Sequence, residues 1–156
     1  MKFNRATGFE KHLLEVKKEH LAPVYLLAIP DAFERKRMAE QVSERICFFY
    51  PDSTFTIKES IPIVHLLDEL NTISLFEKSR IVFYDSIQSI RKEDLNNLIR
   101  YFVNPANSTF LLLETNLFLN DFVDDKVVNI ICFSSSSFSG KLTIQAIAYT
   151  SSFEVF

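Results

Sequence analysis

Short apolar runs alternate along this chain with segments of helical periodicity. A continuous apolar run predicts a strand that is buried on both faces. The run at 54–57 alternates instead and predicts a half-buried strand. The runs lie at 23–28, 54–57, 80–84, 109–115 and 126–133. The segments between them repeat apolar residues every three or four positions, which predicts amphipathic helices. These helices are expected at 8–20, from Asp31 to about 49, at 60–73 and at 89–103.

Strands that alternate with helices predict βαβ units around a parallel sheet. The expected fold is therefore a three-layer α/β/α sandwich with a mainly parallel, five-stranded sheet. We assign residues 1–133 to this domain and residues 134–156 to a tail. The tail begins with a serine run and alternates only loosely afterwards, so a short helix, an added edge strand and a poorly ordered segment all remain open.

Glycine is scarce in this chain, and its scarcity limits which ligands the fold can bind. The 156 residues include only Gly8 and Gly140, whereas sixteen are phenylalanine. A P-loop and a dinucleotide-binding turn both need glycines where the backbone wraps around phosphate. If the fold is that of a nucleotide-binding protein, its phosphate cradle has been lost.

The charge balance gives little support to direct binding of duplex DNA. The formal net charge is −3, and each short basic cluster has acidic neighbours, so we interpret Arg35, Lys36 and Arg37 as a solvated helix face. Two distant cysteines and three scattered histidines form no metal signature. The N-terminal segment is charged throughout and has no apolar core typical of a signal peptide, and no apolar run is long enough for a membrane span. We therefore expect a cytoplasmic protein without a metal or cofactor.

Polar residues at the carboxyl ends of the strands are the first candidates for catalysis, because ligands of open α/β sheets bind there. Asp31, Asp85 and Thr115 fit part of a phosphoacceptor receiver pattern, but a second acid and a lysine are missing. A receiver-like or small-ligand-binding signalling domain centred on Asp85 is the alternative function. We interpret Cys47 as a buried structural cysteine, and no acid–base pair is apparent. The chain is therefore expected not to be an enzyme.

The segment 71–80, NTISLFEKSR, carries an apolar pair where a helix should end. Leu75 and Phe76 could fold back onto the core as a last helical turn. Alternatively they could be exposed, and an exposed pair of this size is typical of an anchor for a partner protein. The residues alone leave both interpretations open.

A series of motifs in this chain resembles the delta subunit of the bacterial DNA polymerase III clamp loader. PVYLL at 23–27 followed by Asp31 and Phe33, ISLFEKSRIVF at 73–83, LIRYFVNP at 98–105 and STFLLLE at 108–114 all resemble that family, in order and spacing. The similarity covers about residues 10 to 133. Family members usually have a glycine where this chain has Ile29 and Pro30. They are also about twice as long, with a lid and a collar domain that this sequence lacks.

The resemblance implies an AAA+-like, P-loop NTPase-type topology that does not bind ATP. It implies a non-catalytic subunit of a polymerase holoenzyme that binds the ring-shaped sliding clamp and helps to open it for loading on DNA. Carried over by position, Leu75 and Phe76 would be the clamp-binding anchors. Asn71, Ile73 and Ser74 would flank them. The other clamp-loader subunits would be partners if the missing domains are supplied, and DNA would be contacted only indirectly.

Overall fold

The structure, a computed structural model, describes residues 2–3, 5–59, 61–72, 79–85, 87, 91–115 and 145–149. Its strands are β1 (Lys2–Phe3), β2 (Val24–Ala28), β3 (Ser53–Lys58), β4 (Ser79–Tyr84), β5 (Thr109–Thr115) and β6 (Gln145–Tyr149). Its helices are α1 (Ala6–Glu15), α2 (Ala32–Phe49), α3 (Ile63–Asn71) and α4 (Lys92–Val103), with a 3₁₀ turn at Lys18–His20. Elements are therefore present at every predicted position that the structure describes.

Local signals set several of these boundaries. The Asp31 carboxylate accepts a hydrogen bond of 2.8 Å from the backbone N–H of Glu34, which confirms Asp31 as the N-cap of α2. Helix α4 ends at Val103, immediately before Asn104 and Pro105, because a residue before proline disfavours helical backbone. Pro62 precedes the first turn of α3, while Ser60, where this helix was expected to begin, lies outside the described residues.

The sheet has six strands in the order β1-β6-β2-β5-β4-β3. The four strands β2, β5, β4 and β3 are parallel, whereas β6 pairs antiparallel with both β2 and β1. The parallel character is as predicted, but the predicted number of five strands is wrong. Strand β1 is too short to leave a periodic signal, and β6 comes from the tail, for which the sequence pattern favoured no single structure. The predicted strand at 126–133 lies outside the described residues.

The helices cover the two faces of the parallel sheet. The connection through α2 runs from β2 to the far edge at β3, and the connections through α3 and α4 return in the opposite direction. Because such crossovers are right-handed, α2 lies on one face and α3 and α4 lie on the other. The ring of Phe9 on α1 contacts Tyr25 with centroids 6.4 Å apart, and the Tyr84 hydroxyl donates to the Ile61 carbonyl on the α3 side. This is the predicted three-layer arrangement.

The core consists of the side chains enclosed between these layers. The apolar positions predicted for α1 (Phe9, Leu13, Val16) are buried, and so is every side chain of β2. Of those predicted for α2, Met38, Val42 and Ile46 are buried, whereas Phe49 at the end of the helix is only partly buried. Cys47 is exposed, so the prediction of a buried cysteine is wrong. It lies one position after the buried Ile46, and one residue turns the side chain about 100° around a helix, here towards solvent.

Strand β3 forms one edge of the sheet and leaves an apolar face open. Phe55 and Ile57 are exposed, although the alternating pattern predicted that one face of this strand is buried. Ile57 is the register partner of Phe83, which in turn pairs with Leu112 on the face that α1 and α2 cover. The side chains of Phe55 and Ile57 are both more than half exposed, so among the described residues no helix covers the apolar side chains of this outermost strand.

Candidate functional site

The carboxyl ends of β2 and β5 lie side by side, at the edge where open α/β sheets bind their ligands. The backbone N–H of Ile29, directly after β2, donates to the Thr115 carbonyl at 3.1 Å. Pro30 and Asp31 then lead into α2. The turn that would carry a phosphate-binding loop is therefore a three-residue link tied to the neighbouring strand.

Arg35, one turn into α2, reaches back over this link. Its guanidinium donates from Nε to Glu114 Oε2 at 3.3 Å and from Nη1 to the carbonyls of Ile29 and Pro30, the latter at 3.3 Å. The Arg35 and Glu114 side chains are only 17% and 13% exposed. A half-enclosed ion pair thus occupies the space over the carboxyl ends of β2 and β5.

Glu114 sits in an unfavourable position for a carboxylate. Burial raises its pKa, Arg35 opposes that rise, and the nearby charge of Asp85 adds to it. Glu114 Oε1 is buried and has no hydrogen-bond partner within the described residues. Among the causes that act on the pKa of Glu114, Arg35 is therefore the one that favours the charged form.

Sequence reasoning missed this ion pair. It assigned Arg35 to a solvated helix face, and the structure corrects that interpretation because the guanidinium is turned inwards onto Glu114. Arg37, two positions further along, forms ion pairs with Glu34 and Glu10 at the surface, which is closer to the expected solvated helix face. The available signal was the position of Glu114, an acid at the carboxyl end of the most apolar strand, which needs a partner.

The receiver-like alternative requires a different strand order. Flavodoxin-like domains, which include receivers, have the order 2-1-3-4-5, so their first strand lies between the second and the third. Here β2, the first parallel strand, pairs with β5 and lies farthest from β3 among the four parallel strands. In the part of the chain that the structure describes, no three His, Cys, Asp or Glu side chains gather as a metal site around Asp85 or elsewhere.

The predicted clamp-binding residues fall at the C-terminal end of α3. Asn71 is the last residue of the helix and is exposed, and its Nδ2 donates to the Leu67 carbonyl of the preceding turn at 2.8 Å. Ile73, Ser74, Leu75 and Phe76 lie outside the described residues. The structure thus describes the residues on either side of this segment, the end of α3 and strand β4.

Arg80 closes this end of α3. From the second position of β4, its Nη2 donates to the carbonyls of Thr72 at 2.9 Å and Leu70 at 3.3 Å, and it approaches Thr109 Oγ1 at 3.5 Å. The last carbonyls of a helix have no partner within the helix, and a positive charge there is favoured by the helix dipole. One side chain therefore joins α3, β4 and β5 at the point where the predicted segment begins.

A second apolar surface lies between α1 and α2. It is a groove of about 510 Å³ lined by Glu10, Leu13, Leu14, Gln41, Glu44, Arg45 and Phe48. Leu14 and Phe48 are 76% and 71% exposed. They offer the same two side-chain types as the predicted Leu75–Phe76 pair, at a place remote from it in sequence.

Comparisons with known proteins add a structural likeness. No protein-family model and no curated protein matches the chain. Among solved structures, the crystal structure of a DNA polymerase III gamma subunit-related protein from Thermotoga maritima aligns over 80% of this chain and 45% of its own length, at 15% identity and a TM-score of 0.49. This chain thus spans less than half of that protein. The fold class of this chain follows from the strand order and layers of the chain itself.

No helix among the described residues combines the length and the apolar character needed to cross a membrane.

Proposed function

We propose that this chain is the amino-terminal, AAA+-like domain of a clamp-loader delta subunit of bacterial DNA polymerase III, acting in the cytoplasm. It binds the sliding clamp through Leu75 and Phe76 and helps to hold the ring open without hydrolysing ATP. Asn71, Ile73 and Ser74 flank the anchors. The beta clamp is its direct partner, and other loader subunits join through lid and collar domains. It is a non-catalytic subunit, and its contact with DNA is indirect.

The observation that supports this proposal is the agreement between motif order and element order. The PVYLL motif spans Pro23 and most of β2, and its acidic residue, Asp31, caps α2. The LIRYFVNP motif ends where α4 ends, and STFLLLE begins directly before β5. Between them, the ISLFEKSRIVF motif runs from just beyond α3 into β4. Four independent motifs therefore meet element boundaries in one consistent order.

The ion pair of Arg35 and Glu114 supports a domain that works without nucleotide. It lies over the carboxyl end of β2, where a phosphate-binding loop needs open space and exposed backbone N–H groups. The Ile29 N–H is already bonded to Thr115. An anionic phosphate would also meet the charge of Glu114 there.

Two anchors of this size account for measurable affinity. Burial of a Leu or a Phe side chain contributes about 1.5–3 kcal/mol each. Loss of both should therefore weaken binding by roughly a hundredfold or more, at 1.4 kcal/mol for each factor of ten.

The test is titration of the clamp ring from the organism that encodes this chain with the wild-type chain and with the double variant Leu75→Ala/Phe76→Ala. We expect the double variant to lose binding while its circular dichroism and melting curve stay unchanged. The matched control is Leu14→Ala/Phe48→Ala, which removes one exposed Leu and one exposed Phe from the groove between α1 and α2. The control should bind as the wild type does. Equal clamp affinity for wild type and the Leu75→Ala/Phe76→Ala variant would refute the proposal.

A further inference from the structure

Strand β3 is the outer strand at one end of the sheet, and its open side can accept a further strand. Within the described residues it pairs only with β4, in one continuous parallel register. Residues 53–57 carry no charge, and two of them, Phe55 and Ile57, are 52% and 57% exposed. Soluble proteins usually protect an edge strand with a charge, a proline or a bulge, and this stretch has none of the three.

The hydrogen bonds of β4 show which of its residues face β3. The backbone N–H of Arg80 donates to the Ser108 carbonyl, which lies on the β5 side of β4. Successive residues of a strand direct their backbone groups to opposite sides. Ile81, the next residue along, therefore directs its N–H and C=O groups towards β3.

The outward-facing residues of β3 follow from this. Ile81 is the register partner of Phe55. In a parallel pair, a residue exchanges its hydrogen bonds with the two neighbours of its partner, here Thr54 and Thr56. Thr54 and Thr56 thus direct their backbone groups towards β4, and Phe55 and Ile57 direct theirs away from the sheet. The same two residues present both the backbone groups and the exposed apolar side chains of this edge.

A second copy of β3, running antiparallel, fits this edge. With Thr56 opposite its counterpart in the second copy, Phe55 lies opposite Ile57 of the second copy, and Ile57 lies opposite Phe55. Both members of each pair direct their backbone groups outwards, so each pair exchanges both N–H···O bonds. An aromatic and a β-branched side chain opposite each other stabilise an antiparallel pair. This register therefore covers both exposed apolar side chains of each copy.

The charges at the two ends of β3 are complementary in this arrangement. Asp52 directly precedes the strand and Lys58 ends it. The antiparallel register places Lys58 opposite the neutral Thr54 of the second copy and diagonal to its Asp52. Glu59 faces a serine, so no like charges lie opposite each other. Lys58 is also turned towards its own helix α3, where it pairs with Glu69 at 2.9 Å, and it does not block the edge.

We propose that β3 is a homodimerisation edge: two copies of this chain join their sheets by antiparallel pairing of residues 53–59 about a two-fold axis at Thr56. The same patch then serves both copies, as a two-fold interface requires. The paired surface is limited to the sheet edge, so the dimer is weak and forms at high protein concentration. This dimer is independent of the proposed clamp contact, which uses residues 71–76.

Sedimentation equilibrium of the full chain, from about 10 µM to about 1 mM, measures the association. We expect the wild type to be dimeric at the upper end of this range. Ile57→Pro removes an outward N–H from each copy, at a position where an edge strand tolerates proline, and should weaken association at least about thirtyfold. Ile57→Val keeps the N–H and the branched side chain and should associate as the wild type does.

A second control separates edge pairing from general hydrophobic association. Phe48→Lys removes an exposed phenylalanine from α2 and adds the same charge as Phe55→Lys does at the edge. Phe48→Lys should leave the dimer unchanged, whereas Phe55→Lys should abolish it, because the charge would face Ile57 of the second copy. Both side chains are exposed, so the melting curves of the two variants should stay close to that of the wild type.

Disulfide formation tests the register. In a background with Cys47→Ser and Cys132→Ser, Thr56→Cys should give a linked dimer on mild oxidation, since directly opposed residues of a pair without hydrogen bonds have Cα atoms about 4.5 Å apart. Phe55→Cys is the matched control. Its two copies lie two positions out of register, beyond the reach of a disulfide, and should not be linked.

Several outcomes would overturn the proposal. These are a chain that stays monomeric at about 1 mM, including one whose edge captures a foreign extended peptide instead, and a dimer that survives Ile57→Pro or that Phe48→Lys dissolves. Linkage through Phe55→Cys in place of Thr56→Cys would overturn the register. Should Ile57→Pro fail to fold, Phe55→Lys decides: an unchanged dimer would overturn the proposal, and a folded monomer would support it.

Discussion

Replacement of Arg35 by methionine tests how the carboxyl edge of the sheet is closed. Methionine keeps the helix propensity and much of the apolar stem of arginine, but it removes the charge and all donors. Glu114 would then be an enclosed carboxylate beside Asp85 without its cation, and the Ile29 and Pro30 carbonyls would lose a donor. Removal of one partner of a buried ion pair lowers the free energy of unfolding by roughly 3–5 kcal/mol. Because this pair is slightly exposed, we expect a loss of about 3 kcal/mol.

Replacement of Glu114 by glutamine should cost much less. Arg35 would still donate to the two carbonyls of the link after β2, so no charge would be left without hydrogen bonds. We expect a loss of about 1 kcal/mol, the usual net value of one hydrogen bond. The loss of stability caused by Arg35→Met should therefore be about three times the loss caused by Glu114→Gln.

The pH dependence is a consequence of the raised pKa of Glu114. A carboxyl whose pKa is higher in the folded state than in the unfolded chain binds its proton more readily when folded, so its contribution to stability falls as pH rises through that window. Without Arg35, which opposes the rise, the pKa of Glu114 should be higher still. The stability deficit of Arg35→Met should therefore grow as pH rises above the ordinary carboxyl range, by up to about 1.4 kcal/mol for each pH unit in which Glu114 of the variant is protonated in the folded state alone.

Urea unfolding of the wild type and of Arg35→Met, Glu114→Gln and the double variant at pH 5, 6 and 7 measures these quantities. In the double variant the pH-dependent part of the Arg35→Met deficit should vanish, because the titrating group is gone. Equal losses for the two single variants, or a deficit of Arg35→Met that does not change with pH, would refute this account of the edge.

Two further predictions concern separate features of the fold. Asp31→Ala removes the cap of α2 and should lower the free energy of unfolding by about 1 kcal/mol; urea unfolding measures it, and an unchanged midpoint would contradict the role of the 2.8 Å hydrogen bond to the Glu34 N–H. Phe55→Lys places a charge on the exposed face of edge strand β3 and should change stability by less than about 0.5 kcal/mol while raising the solubility limit. Precipitation assays test the second effect, and a large loss of stability would show that Phe55 is packed against the core.

Local features of this fold were predictable from the sequence. The capping of α2 by Asp31 involves residues three apart, and the end of α4 is set by Asn104 and Pro105. Buried stripes such as Met38, Val42 and Ile46 reflect the 3.6-residue period. In each case the information lies within one or two helical turns.

Features that depend on contacts between distant residues were not predictable. Arg35 and Glu114 are 79 positions apart, and nothing near Arg35 distinguishes it from the exposed Lys36 beside it. Strand order likewise decides that β3 lies at an edge, which leaves Phe55 and Ile57 open although their spacing is that of a buried face. The position of β6 beside β2 joins two segments from opposite ends of the chain.

The closed carboxyl edge and the tethered end of α3 have related consequences for function. In an open α/β domain the carboxyl edge normally provides the binding site, and here Arg35 and Glu114 fill it between β2 and β5. Under the proposed function, the clamp is bound by another surface. The chain between α3 and β4 starts from a helix end that Arg80 ties to the sheet, so it is attached to the rigid part of the fold at the point where it begins. The proposed function therefore assigns recognition to a short segment attached to this scaffold, as is common for loops on a rigid fold, and not to a small-ligand pocket at the carboxyl edge.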